Sequence, residues 1–157
     1  MSTEPPAPVS RATLAAYRAT VVDVVIDSEW VDEATARRRI GGDLFVVTAW
    51  NPGDERPPAA ENRRRNAELF DLIAERGWKC WAAVGSSGEA DDRASGPLWF
   101  EEGFVVAGMT VQDALELGRA FRQVAIFQLC ADHRRMWFCF EDQERGGRGK
   151  NPEVRAT

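Results

Sequence analysis

The stretch over residues 45–73, FVVTAWNPGDERPPAAENRRRNAELFDLI, constrains the fold more than any other part of the chain. A short apolar run over 44–50, rich in β-branched and aromatic residues, predicts a strand buried on both faces. Asn51, Pro52, Gly53 and Asp54 end it. Pro52 has no N–H to give a ladder, and Asn, Gly and Asp favour turns. Pro57 and Pro58 suit the entry to a helix, where missing N–H groups cost nothing. The helix is expected over about 59–76, with Gly77 closing it in the left-handed region. A strand, a polar loop and a helix that returns over the sheet make an α/β unit.

At helical spacing Asn62, Asn66, Leu69 and Ile73 share one face, the one expected to meet the sheet. Arg64, Glu68, Asp71 and Glu75 fall opposite. An inward amide is costly unless it is paired. One reading is that both Asn side chains tie down the loop at 51–53. The other is that they line a polar pocket at the end of the 45–50 strand, beside the helix N-terminus, for a small polar or anionic ligand. Asn66 is further from the helix start and is expected to hold the loop. Asn62 lies in the first turn, where free N–H groups converge, and is expected to contact the ligand.

A chain of 157 residues predicts one domain, here over 11–143, with disordered tails at 1–10 and 144–157. The net charge of −5 argues against a general nucleic-acid binder, which would carry a basic footprint. No apolar run reaches the length of a membrane span, and no signal peptide is read, so no membrane partner and a cytoplasmic location are expected. Cys80, Cys130 and Cys139 sit in apolar runs without CxxC spacing and read as reduced core thiols. His133, the single histidine, lies in a turn beside Arg134, which argues against a catalytic triad or a histidine zinc site. Asp91 and Asp92 fall in the small-residue loop over 85–96, where acids are normally solvated. No metal and no cofactor are expected.

Ser10 is a candidate cap for a helix over 11–18, with Leu14 and Tyr17 on one side. Strands are expected over 20–26, 78–84 and 98–106. Residues 27–42 fit either a helical turn or an edge strand, and Arg37, Arg38 and Arg39 there read as a solvated face, with a phosphate-contacting patch as the sharper alternative. In the 98–106 strand, alternation places Glu102 with Phe100, Phe104 and Val106 on a buried face, and Glu101 with Trp99 and Gly103 on the other. A bulge at Gly103 would exchange the two acids, so both are candidate acid–base groups. Thr110 caps a second helix with Asp113 at N3, and Gly118 allows that helix a close approach. A hairpin over 124–130 and 135–140 is expected to set Gln128 opposite Trp137 and Cys130 opposite Arg135. The whole predicts an α+β or α/β fold: a two-layer domain with a mixed sheet of five to six strands and two main helices.

Four segments line up in order: AWNP at 49–52, ENRRRNAEL at 61–69, WFEE at 99–102 followed by Phe104, and FRQVAI at 121–126. Together they resemble the bacterial family called domain of unknown function 3293, over residues 17–127. The resemblance implies no activity. It marks Asn51, Asn62, Asn66, Trp99, Glu101, Glu102 and Gln123 as matching positions, and this chain has Gly103 where the family pattern has a serine. A small ligand-binding domain is the leading expectation, with Asn51, Asn62, Arg63, Asn66, Trp99 and Gln123 as ligand contacts. A protein-interaction or regulatory module using a sheet edge or the Arg37 to Arg39 face ranks second. A small enzyme using Glu101 or Glu102 ranks third, with Arg63 or Arg65 holding an anionic substrate.

Overall fold

A computed structural model describes residues 4–53, 55–88, 99–140 and 154–156. In chain order its elements are α1 (Arg11–Arg18), β1 (Val21–Ile26), β2 (Glu29–Asp32), α2 (Glu33–Ile40), β3 (Leu44–Val47), α3 (Ala59–Glu75), β4 (Lys79–Ser86), β5 (Phe100–Ala107), α4 (Val111–Ala120), β6 (Ala125–Leu129), β7 (Arg134–Phe138) and β8 (Val154–Ala156). The strands form one sheet in the order β2-β1-β4-β5-β3-β6-β7-β8. Every pairing in it is antiparallel.

The fold is α+β. The expected mixed sheet of five to six strands is corrected to an antiparallel sheet of eight. The reason lies in how the two long helices cross over. α3 joins β3 to β4, but β5 sits between those strands; α4 joins β5 to β6, but β3 sits between those. Each crossover links strands that run the same way without pairing. These two interleaved split β-α-β units are the ferredoxin-like arrangement. The β1–β2 hairpin extends one edge and β7–β8 the other. Residues 33–40, weighed as a helical turn or a strand edge, are the helix α2, and the edge strand lies just before them: Asp27 and Ser28, with φ of 50° and 66°, make a two-residue turn into β2, and Asp32 then caps α2.

The long helices α3 and α4 share one sheet face. Leu69 and Ile73 from α3, and Ala114 and Leu115 from α4, pack there on Phe45, Val106 and Phe121. Burial of each such large apolar side chain stabilises by about 1.5–3 kcal/mol. The other face is not open. Ala36 of α2 packs on Val24, Leu44, Val105 and Leu129. Leu14 of α1 packs with Val9, Met136 and Phe138. The expected two layers therefore become three, because the N-terminal third of the chain supplies a second helical cover. Within the tail expected over 1–10, Pro6 and Val9 are buried, and residues 1–3 lie outside the described residues. Of the tail expected over 144–157, Val154–Ala156 pairs along β7 and the rest lies outside the described residues.

Gln128 faces Arg135, not Trp137, and Ile126 faces Trp137. The four-residue loop runs over 130–133, closed by Cys130 N–H donating to His133 O at 2.8 Å, one position earlier than expected. The pairing moves by two residues along β7, so every side chain keeps its face. Trp137 Nε1 still donates to Gln128 Oε1, at 2.9 Å. All three cysteines are free thiols. Burial pushes the Cys139 thiol up to about 12, which leaves it protonated and inert as a nucleophile.

Candidate functional site

β3 stops at Val47, short of the expected 50, because side chains take over its hydrogen bonds. Ala49 N–H donates to Asn66 Oδ1 (3.2 Å), Trp50 N–H to Thr48 Oγ1 (3.1 Å) and Asn51 N–H to Asn62 Oδ1 (3.0 Å). The carbonyls are taken in the same way. Arg65 Nε donates to Ala49 O at 3.2 Å, and Gln123 Nε2 to Trp50 O at 3.0 Å. A buried backbone group without a partner is costly. Here an irregular turn is carried into the interior because α3 and the α4–β6 connection supply partners residue by residue. Asn62 and Asn66 are buried at 2% and 7% exposure, as the helical spacing predicts.

Asn51 is the pivot. Its φ of 47° lies in the left-handed region, which Asn enters more readily than most residues. Asn62 Nδ2 donates to Asn51 Oδ1 at 2.9 Å, and Asn51 Nδ2 donates to Glu101 Oε1 at 3.1 Å. The chain Asn62–Asn51–Glu101 thus fixes the direction in which the carboxylate is held. Burial pushes the Glu101 pKa above the ordinary carboxylate value; the Asn51 hydrogen bond and the nearby charge of Arg56 oppose that rise.

Glu101 and Glu102 exchange the environments that alternation assigned to them. Glu102 does point to the α3/α4 face, but beyond the helix start it stays 36% exposed and pairs with Arg63 Nη2 at 3.5 Å. The other face is closed by α1, and Glu101 points into it. Glu101 faces a cleft of about 280 Å³ bounded by Thr13 and Tyr17 of α1, Asn51, Arg56 and Trp99. Tyr17 also holds the loop, its hydroxyl donating to Gly53 O at 3.5 Å.

Of the expected contacts, Asn51 and Trp99 meet at this cleft, together with Glu101, one of the two acid–base candidates. Asn62, expected to contact the ligand, stands behind Asn51 and engages it through both ends of its amide. Asn66 holds Ala49, just ahead of the 51–53 loop expected of it. Gln123 is a scaffold residue, donating also to Phe121 O at 3.2 Å. Arg65 spends its guanidinium on Ala49 O and on Phe121 O. Arg63 lies on the far face with Glu102. Thr13, Tyr17 and Arg56 were missed. Only Tyr17 gave a signal, as part of the apolar side of α1. The Arg37 to Arg39 run does not form one patch. Successive helix residues point apart: Arg37 pairs with Glu33, Arg38 donates to Thr35, and Arg39 pairs with Asp27. Among the described residues no group of three or more His, Cys, Asp or Glu is placed to hold a metal ion, and no helix is long and apolar enough to cross a membrane.

Neutralising Glu101 is expected to shift the pH dependence of stability. A carboxyl whose folded pKa is raised favours the folded state when protonated, and that advantage is lost as pH rises through the folded value. Glu101→Gln keeps an oxygen for Asn51 Nδ2 and cannot ionise. The variant should match the native chain in acid, near the ordinary value of about 4.3, and exceed it in stability near neutrality. Denaturant titrations at the two pH values check this. A variant less stable than the native chain at neutral pH would refute the burial account.

A ferredoxin-like α+β domain with a polar cleft at the C-terminal end of β3 is the class that fold and site define. Residues 47–126 match the family described as Protein of unknown function (DUF3293), and the chain belongs to it. The matched segment runs from the end of β3 to the start of β6, so it holds both crossover helices and the whole stitched turn. Gly103 lets β3 and β5 close up: a Cβ there would lie 2.5 Å from Val47 O. No curated protein and no solved structure is similar enough to match.

Proposed function

We propose that the protein is a small-ligand-binding domain and that the cleft at the end of β3 is its pocket. The observation that carries this reading is Glu101. Its carboxylate is drawn out of water and aimed by a dedicated amide relay, yet no cation among the described residues forms an ion pair with it. A fold gains nothing in stability from such a group, whereas a binding site gains a directed acceptor. Arg56, Trp99 and Tyr17 around it add a cation and two amphipathic rings.

The test is a thermal-shift screen of the full chain with amines, acids, amino acids and nucleotides. A ligand at ten times its Kd should raise Tm by about 3–6 °C, and Glu101→Gln should abolish that rise. Stabilisation by none of these classes would overturn the reading. Acid–base catalysis at the same cleft is the second reading, favoured by the raised pKa of Glu101, which is the property such a group needs. A protein partner would use another surface, the edge strand β2, where Trp30 is 62% exposed.

A further inference from the structure

Behind the cleft lies a second space. It is an inner cavity of about 60 Å³ against the α1-covered sheet face, lined by Val22, Val46, Ala83, Val124 and Phe127. Tyr17, Trp99 and Glu101 line both the inner and the outer space. The two are therefore neighbouring compartments that meet at the carboxylate. Ala83 and Gly85 line the inner one as well, and their lack of bulk leaves room there. Apolar cavities of this kind favour apolar occupants over water.

The outer compartment carries two opposite charges. Glu101 accepts one hydrogen bond from Asn51, and a carboxylate has room for several more. Arg56 donates one N–H to Glu55 O at 3.1 Å, which leaves most of its fork for an anion. A simple anion would be repelled by Glu101 and a simple cation by Arg56. An uncharged ligand would leave Glu101 desolvated and without compensation. A ligand bearing both charges meets both demands.

Resting on the reading of this cleft as a ligand pocket, we propose that its ligand is a small ammonium–carboxylate zwitterion with a short aliphatic tail, of the branched-chain α-amino acid type. The ammonium sits at Glu101, the carboxylate at Arg56, and the tail enters the inner cavity past Trp99 and Tyr17. The size of the inner space sets the tail at a few carbons.

The experiment is a calorimetric titration of the full chain with L-leucine and three analogues that each lack one feature. These are 4-methylpentanoate without the amine, 3-methylbutylamine without the carboxylate, and glycine without the tail. Leucine should bind most tightly, and each analogue should lose about tenfold or more. Glu101→Gln should weaken leucine by about tenfold to a hundredfold. Ala83→Leu, which fills the inner space, should remove the preference for leucine over glycine. Equal binding of the amine or the acid would overturn the zwitterion, as would a preferred ligand of another class, while leaving the pocket standing. Binding of no ligand in this series or in the wider screen would overturn both. If Ala83→Leu does not fold, the leucine-to-glycine ratio on the native chain decides the role of the inner cavity, and a ratio near one rejects it.

Discussion

Asn62→Leu and Asn66→Leu should each destabilise the fold by about 1–3 kcal/mol, although Leu is a better helix former than Asn and adds apolar contact. At Asn66 the loss is the partner of Ala49 N–H, at a residue with no exposed surface. At Asn62 two bonds disappear, those to Asn51 N–H and Asn51 Oδ1, and with them the support of a left-handed backbone. Asn62 should therefore lie at the upper end. Both amides hold the same turn, so the losses should not add. Once one substitution frees residues 48–53, the second has less left to break, and the double variant should fall short of the sum by about 0.5 kcal/mol or more. Denaturant titration of the three variants measures all of this. A neutral or stabilising Leu at either position would sink the account of the stitched turn. Asn62→Leu should also weaken any ligand that depends on Glu101, because Asn51 loses the bond that orients it.

The elements with the strongest local signals were legible in the sequence. The α3 periodicity placed Asn62, Asn66, Leu69 and Ile73 on the buried face, and all four are buried. Thr110 and Asp113 form the expected capping box, and Ser10 caps α1 by accepting from Thr13 N–H. Caps and helical faces are set within a few residues, so short-range pattern suffices.

What depended on distant partners was not legible. Alternation separated Glu101 from Glu102 correctly, but which face is closed depends on α1, more than eighty residues upstream, and on how far α3 reaches. The strand order was hidden for a similar reason. A helix between two strands suggests that they pair side by side, and nothing local reveals that β5 inserts between β3 and β4. Arg56 escaped notice because a loop cation carries no periodicity, and only the folded turn brings it near Glu101.

Gly118 offers the sharpest test of packing on the α3/α4 face. A Cβ at this position would overlap Cys139 Sγ and approach Ile126 Cγ2 at 3.2 Å. Residue 139 cannot retreat easily, because both of its backbone groups are held: its N–H donates to Val124 O at 3.0 Å, and its carbonyl accepts from Arg119 Nε at 2.7 Å. Gly118→Ala gains about 1 kcal/mol of helix propensity, but overpacking of a tight core costs about 1–3 kcal/mol. The expected net result is destabilisation, and Gly118→Val, with two further carbons, should lose about 3 kcal/mol. In a Cys139→Ala background the sign should reverse. The sulfur is gone, the Cys139 Cβ lies 3.5 Å from the new carbon in ordinary contact, and the propensity gain of Gly118→Ala should emerge as increased stability. Comparing Gly118→Ala in the two backgrounds by denaturant titration isolates this one contact. The same cost in both would mean that Ile126, or the approach of the α4 backbone to the sheet, sets the limit instead of the thiol.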